Sequence, residues 1–145
     1  MNSKFSIKEQ LRRNTVALIS LAVAVTSLGY NTWRNEASEH NRNQRLVSIE
    51  LLRMLGDLQQ LTLDGHYGKN VDRDAILREG WAKVLTIRDI SRVAEGTVPD
   101  SAMGLFDTWS ADYDGVGSDT EAKDRIVAAL DTVRLDTQEV LRSLD

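Results

Sequence analysis

A chain of 145 residues with a net charge of −4, one proline and no cysteine has the length of about one folded domain. It cannot form disulfides, use thiolate chemistry or hold zinc through cysteine. The charge is uneven: residues 1–14 carry four basic side chains against one acidic, residues 34–145 fourteen against twenty-one. So acidic a body excludes nucleic acid as the expected partner, because neutralising phosphates needs a basic face.

Residues 1–14 read as a short basic cytoplasmic tail. Residues 15–33, TVALISLAVAVTSLGYNTW, carry no charge, with Arg12 and Arg13 closing one side and Arg34 the other. At 1.5 Å per residue, the uncharged length is about that needed to cross a hydrocarbon core. Tyr30 and Trp33 stand where an interfacial aromatic belt belongs, and Arg12 and Arg13 are the anchors at the opposite flank. Ser20, Thr26, Ser27 and Gly29 lower the hydropathy. A cleaved signal peptide has the same basic start. However, the small-x-small triplet AVA at 22–24 lies inside the apolar run, and aromatics follow Gly29 where small residues are wanted. A buried helix of a soluble protein is the third reading. The expectation is a retained signal anchor that crosses the inner or plasma membrane once. Its basic tail favours a cytoplasmic N-terminus and a periplasmic or extracellular C-terminal domain. Ala17, Ser20, Ala24 and Ser27, spaced three, four and three, share one helical face. Small residues there form a packing face for a second helix in lipid.

Residues 34–45, RNEASEHNRNQR, have Ala37 as their only apolar residue and cannot bury a face. They read as a polar helical stalk continuing the span, although three asparagines weaken its helix propensity. Such a helix would raise the next segment about 18 Å.

Residues 46–145 are expected to form an extracytoplasmic helical bundle. Val47, Leu51, Met54, Leu58 and Leu61, spaced four, three, four and three, form the core seam of a helix, widened by Leu52 and Leu55. It ends near DGHYGKN, with Gly65 or Gly68 available as a cap. A further helix spans about 72–94, capped by Asp72 or Asn70 and lined by Leu77, Trp81, Val84, Ile87 and Ile90. Gly80 within it costs about 1 kcal/mol relative to alanine, a cost explained by a closely passing neighbour. Thr97 as N-cap, Pro99 in the first turn and Asp100 open the next helix. Ala102, Phe106, Trp109 and Tyr113 line that helix, and Gly115 and Gly117 stop it. In SDTE, Ser118 and Glu121 have capping-box spacing. Ala122, Ile126, Ala129, Val133, Val140 and Leu144 then share a face that Thr137 interrupts. With no alternating β-branched run, the fold class is all-α: a single transmembrane helix, a polar stalk and an antiparallel bundle of about four helices.

Chemistry is sparsely signalled. The loop DYDGVGSDTE at 112–121 aligns Asp112, Asp114 and Gly117 with the EF-hand pattern. Val116 then occupies a ligand position, and Lys123 stands where the bidentate glutamate belongs. No metal and no cofactor are expected. His66, beside Tyr67 and near Asp64, lacks a ligand-spaced partner, and no catalytic residue is assigned. Trp81, Phe106, Trp109 and Tyr113 have core spacing, and they are also the candidate ligand pocket of the bundle. In plan alone, an anchor before a helical bundle resembles the sensor domains of bacterial receptors. The expected function is a non-enzymatic, membrane-anchored interaction or accessory protein presenting its acidic bundle to a protein partner, with self-association as one form. The alternative is a bundle that senses or carries a small molecule.

Overall fold

In a computed structural model, residues 14–144 are described. Four α-helices lie among them: α1, Thr15–Tyr67; α2, Arg73–Ser91; α3, Val98–Asp112; and α4, Thr120–Ser143. Two compact units divide the chain, Met1–His40 and Asn41–Asp145.

In the first unit the described residues from Thr15 onward are helical, and every side chain is exposed. Val16, Leu28 and Trp33 are 78%, 69% and 66% exposed. This stretch is long and apolar enough to cross a membrane. Thr26 donates its hydroxyl to the Ala22 carbonyl at 2.8 Å, so this polar group is satisfied within the helix. The proposed anchors Arg12 and Arg13, and all of the 1–14 basic tail except Asn14, lie outside the described residues.

The second unit is a bundle whose register follows from its contacts. Near its start, α1 meets the end of α2: the Gln44 side chain donates to the Val93 carbonyl at 3.0 Å and accepts from the Glu95 N–H at 3.2 Å. Further along, Asp57 pairs with Lys83 at 3.8 Å. Arg45 donates to the carbonyl of Leu144, at the end of α4, while Tyr67 meets Lys123 at its start. The α2–α3 pair is fixed by Arg88 over the Phe106 ring and by Trp81 against Tyr113. Arg125 joins α4 to the end of α3 at Asp112. Neighbours therefore run antiparallel, giving an up-down-up-down four-helix bundle.

The core is apolar and layered. Leu51, Leu55 and Leu58 of α1 face Val84 and Ile87 of α2, Leu105 and Trp109 of α3, and Ile126, Leu130 and Val133 of α4. All are at most 1% exposed. Burial of each such side chain contributes about 1.5–3 kcal/mol. The inward line of α1 is Gln44, Ser48, Leu51, Leu55, Leu58 and Thr62. It is rotated from the expected seam: Leu51, Leu58 and Leu61 are buried, but Val47 and Met54 are half-buried at the flanks. The seam chosen for apolarity missed that an inward line admits small polar residues. Ser48 Oγ is buried there with no hydrogen-bond partner among the described residues, whereas other hydroxyls bond back to their own helix. Thr62 does so by donating to the Leu58 carbonyl at 2.8 Å.

Gln44 corrects the stalk boundary. Placed at 34–45 among residues unable to bury a face, it is only 7% exposed. An amide tolerates burial when its donor and its acceptor both find partners, and the α2–α3 connection supplies both. Thr137, expected to interrupt the inward face of α4, is likewise fully buried and donates to the Val133 carbonyl at 2.7 Å. Leu130, absent from the expected face, lies at its centre.

The helix ends follow capping chemistry with three departures. Asp72 caps α2, its carboxylate accepting from the Ala75 N–H at 3.1 Å, while Asn70 takes φ 61° in the preceding turn. The first departure is that α2 stops at Ser91 rather than near Ala94, and Gly96, with φ 65°, lets the chain reverse. The second is that Thr97 holds the N-cap place of α3 with helical backbone angles and no side-chain bond. The third lies at α4. Asp119, not Ser118, is the N-cap, with extended backbone and a carboxylate accepting from the Glu121 N–H at 2.9 Å. Ser118 is spent in the preceding turn, where its N–H reaches the Gly115 carbonyl. Asp119→Ala is therefore expected to cost about 1 kcal/mol in a denaturant titration, with Ser118→Ala near neutral. Equal costs would assign the cap to both.

Candidate functional site

The four aromatics expected to line a pocket pack into the bundle. Trp109 is fully buried; Trp81, Phe106 and Tyr113 are half-buried against the core. Trp81 meets Phe106 and Tyr113 edge to face, at 6.0 and 5.4 Å between ring centroids, a favourable arrangement for aromatic pairs. The Trp109 ring fills the notch at Gly80, where an added Cβ would lie 2.2 Å from its Cζ2 atom. The close neighbour inferred from Gly80 is this indole. The aromatic residues act as one wedge between α2 and α3.

A cavity of about 270 Å³ opens elsewhere, where α1 ends, α2 begins and the α3–α4 connection crosses. Val71, Ile76, Leu77 and Val116 form its apolar walls. His66, Asn70 and Arg73 are its polar lining side chains, and no carboxylate is among its described lining residues. Gly65 shapes the floor: a Cβ there would meet Ile76 and Val116 at 3.0 and 3.1 Å.

His66 Nδ1 lies 3.0 Å from the Val116 main-chain oxygen. A carbonyl only accepts, so Nδ1 carries a proton and donates it to Val116. Arg73 donates to the Asp114 carbonyl. The connection is itself pinned by Val116, whose side chain is 1% exposed. Sequence reading singled out His66 but missed Arg73 and Val116 as site residues, because His66 and Arg73 flank the α1–α2 connection while Val116 arrives from the α3–α4 connection. The available signal was the run GHYGKN, in which glycines flank a histidine.

The 112–121 loop has other structural work. Asp112 accepts two bonds from the Arg125 guanidinium, at 2.9 and 2.7 Å. Tyr113–Gly115 forms a short 3₁₀ turn. The hydrogen bond from Arg125 holds the Asp112 carboxyl below its usual value. A lowered folded-state value stabilises the fold above the unfolded value near 3.9, and this contribution disappears as pH falls through the folded one. Asp112→Asn should thus lower the melting temperature at neutral pH, with the gap narrowing below about pH 4. A gap that persists unchanged into acid would contradict this origin.

Lys123 is 8% exposed and lies on the buried face of α4. Its ammonium lies 3.3 Å from the Tyr67 hydroxyl and 2.6 Å from Asp124. The hydrogen bond to Asp124, then that to Tyr67, raises its pKa.

Comparison of the chain with protein-family models, curated proteins and solved structures finds no match.

In the first unit, Ala17, Ser20, Ala24 and Ser27 are all exposed, as are Tyr30 and Trp33, whose rings lie 6.2 Å apart. Among the described residues, no group of three or more histidine, aspartate and glutamate side chains is placed to hold a metal ion.

Proposed function

We propose that the chain is a single-pass, membrane-anchored, non-enzymatic interaction protein that presents an acidic four-helix bundle to a protein partner. One observation carries this reading: an uncharged helical stretch of transmembrane length leaves its apolar side chains uncovered. In water so large an apolar surface is costly, and lipid removes that cost. The basic tail favours a cytoplasmic N-terminus, which puts the bundle in the periplasm or outside the cell. The small-residue face supports self-association or pairing with a partner's helix as the mode of assembly.

Fractionation tests the anchor. Membranes from expressing cells, washed at alkaline pH, should retain the intact chain. Release into the wash, or a mature N-terminus beyond Gly29, overturns the reading. A reporter joined at Asp145 should respond as a periplasmic or extracellular fusion. Crosslinking in native membranes should recover a homo-oligomer or one specific protein, and recovery of monomer alone removes the interaction role.

A further inference from the structure

We propose that the cavity between the end of α1, the start of α2 and the α3–α4 connection binds a small monocarboxylate with a compact apolar body. The first support is its donor set. One Arg73 N–H is committed to the Asp114 carbonyl, which steadies the guanidinium and leaves further N–H groups for a carboxylate. A planar fork suits that group's two oxygens. Asn70 adds an amide to the lining. His66 also lines the cavity, but its Nδ1 proton is committed to the Val116 carbonyl and is not part of this donor set.

The second support is shape. The walls of Val71, Ile76, Leu77 and Val116 suit hydrocarbon, and about 270 Å³ is small for a ligand site. A short branched chain or a single aromatic ring fits that scale. The third is charge. No carboxylate is among the described lining residues to repel an anion, but Asp64, Asp72 and Asp74 flank the lining segments in an acidic domain. This surrounding field penalises a second negative charge, favouring a monoanion over phosphate or a dicarboxylate. The cavity's lining residues all fall within residues 65–117, so its occupancy is independent of membrane attachment.

The test uses the full chain in detergent micelles, followed by amide NMR at Gly65, Val116 and Gly117. The probes are benzoate, benzyl alcohol as a neutral analogue of similar body, and inorganic phosphate. Benzoate should produce saturable shifts at these amides, with benzyl alcohol and phosphate each at least about tenfold weaker. Arg73→Gln should weaken benzoate binding about tenfold while the chain still folds, and Arg73→Lys should fall between. If Arg73→Gln does not fold, the three probes on the unaltered chain decide. The site is overturned by absent benzoate saturation, by equal binding of benzyl alcohol or phosphate, or by a folded Arg73→Gln that binds normally.

Discussion

Gly80→Ala should destabilise the bundle by about 2 kcal/mol or more, although alanine is the better helix former by about 1 kcal/mol. The added methyl would sit 2.2 and 2.4 Å from two atoms of the Trp109 six-membered ring, far inside contact distance. Trp109 is fully enclosed, so the ring has no open space into which to retreat. Its indole Nε1 has no hydrogen-bond partner among the described residues. Trp109→Phe therefore removes an unpaired buried donor along with ring volume, and should cost less than the 3–5 kcal/mol typical of truncation to alanine. It should also relieve Gly80→Ala. In urea titrations of the four-member cycle, the two changes should couple by more than about 1 kcal/mol. Additivity would show that the indole is not what excludes the methyl.

The second large effect concerns the anchor. Val23 lies mid-way along the uncharged stretch and is 59% exposed. Arginine at the centre of a membrane helix costs roughly 3 kcal/mol on insertion scales. Serines, a threonine and a glycine already weaken this span, so Val23→Arg should move most of the chain out of the alkali-resistant membrane fraction. Leu46→Arg, on an exposed site of the bundle, is the matched control and should stay in the pellet. Equal retention of both variants would separate the chain's location from its apolar stretch.

Much of the fold was legible because helix periodicity and capping act locally. Asp72, Gly80 and the Pro99 turn each announced their role within a few residues. The rotated seam of α1 was not legible, since Gln44 and Thr62 read as surface until their partners are known, and Ser48 is buried with no hydrogen-bond partner among the described residues. Gln44 is buried by a bond to residues some fifty positions away. The misassigned cap of α4 shows the same limit: Ser118 and Asp119 are adjacent candidates, and the tight turn after Gly115 selects between them. Phe106, Trp109 and Tyr113 have core spacing along one stretch and Trp81 along another, but spacing alone does not distinguish a packed wedge from a lined space. The cavity was least legible of all. His66, Arg73 and Val116 gain their relation only from the meeting of helix ends.

The order of the helices has a kinetic consequence. Three of the four neighbouring pairs join consecutive helices through short connections. The α1–α4 pair alone closes over most of the bundle, as in the bond from Arg45 to Leu144 across 99 positions. Contacts so remote in sequence come late, because ring closure precedes their reward. During synthesis, the leucine row of α1 is made long before α4 leaves the ribosome to cover it. The nascent chain thus passes through a stage with a sticky side open, when a chaperone, or another unfinished copy, has its best opportunity to bind.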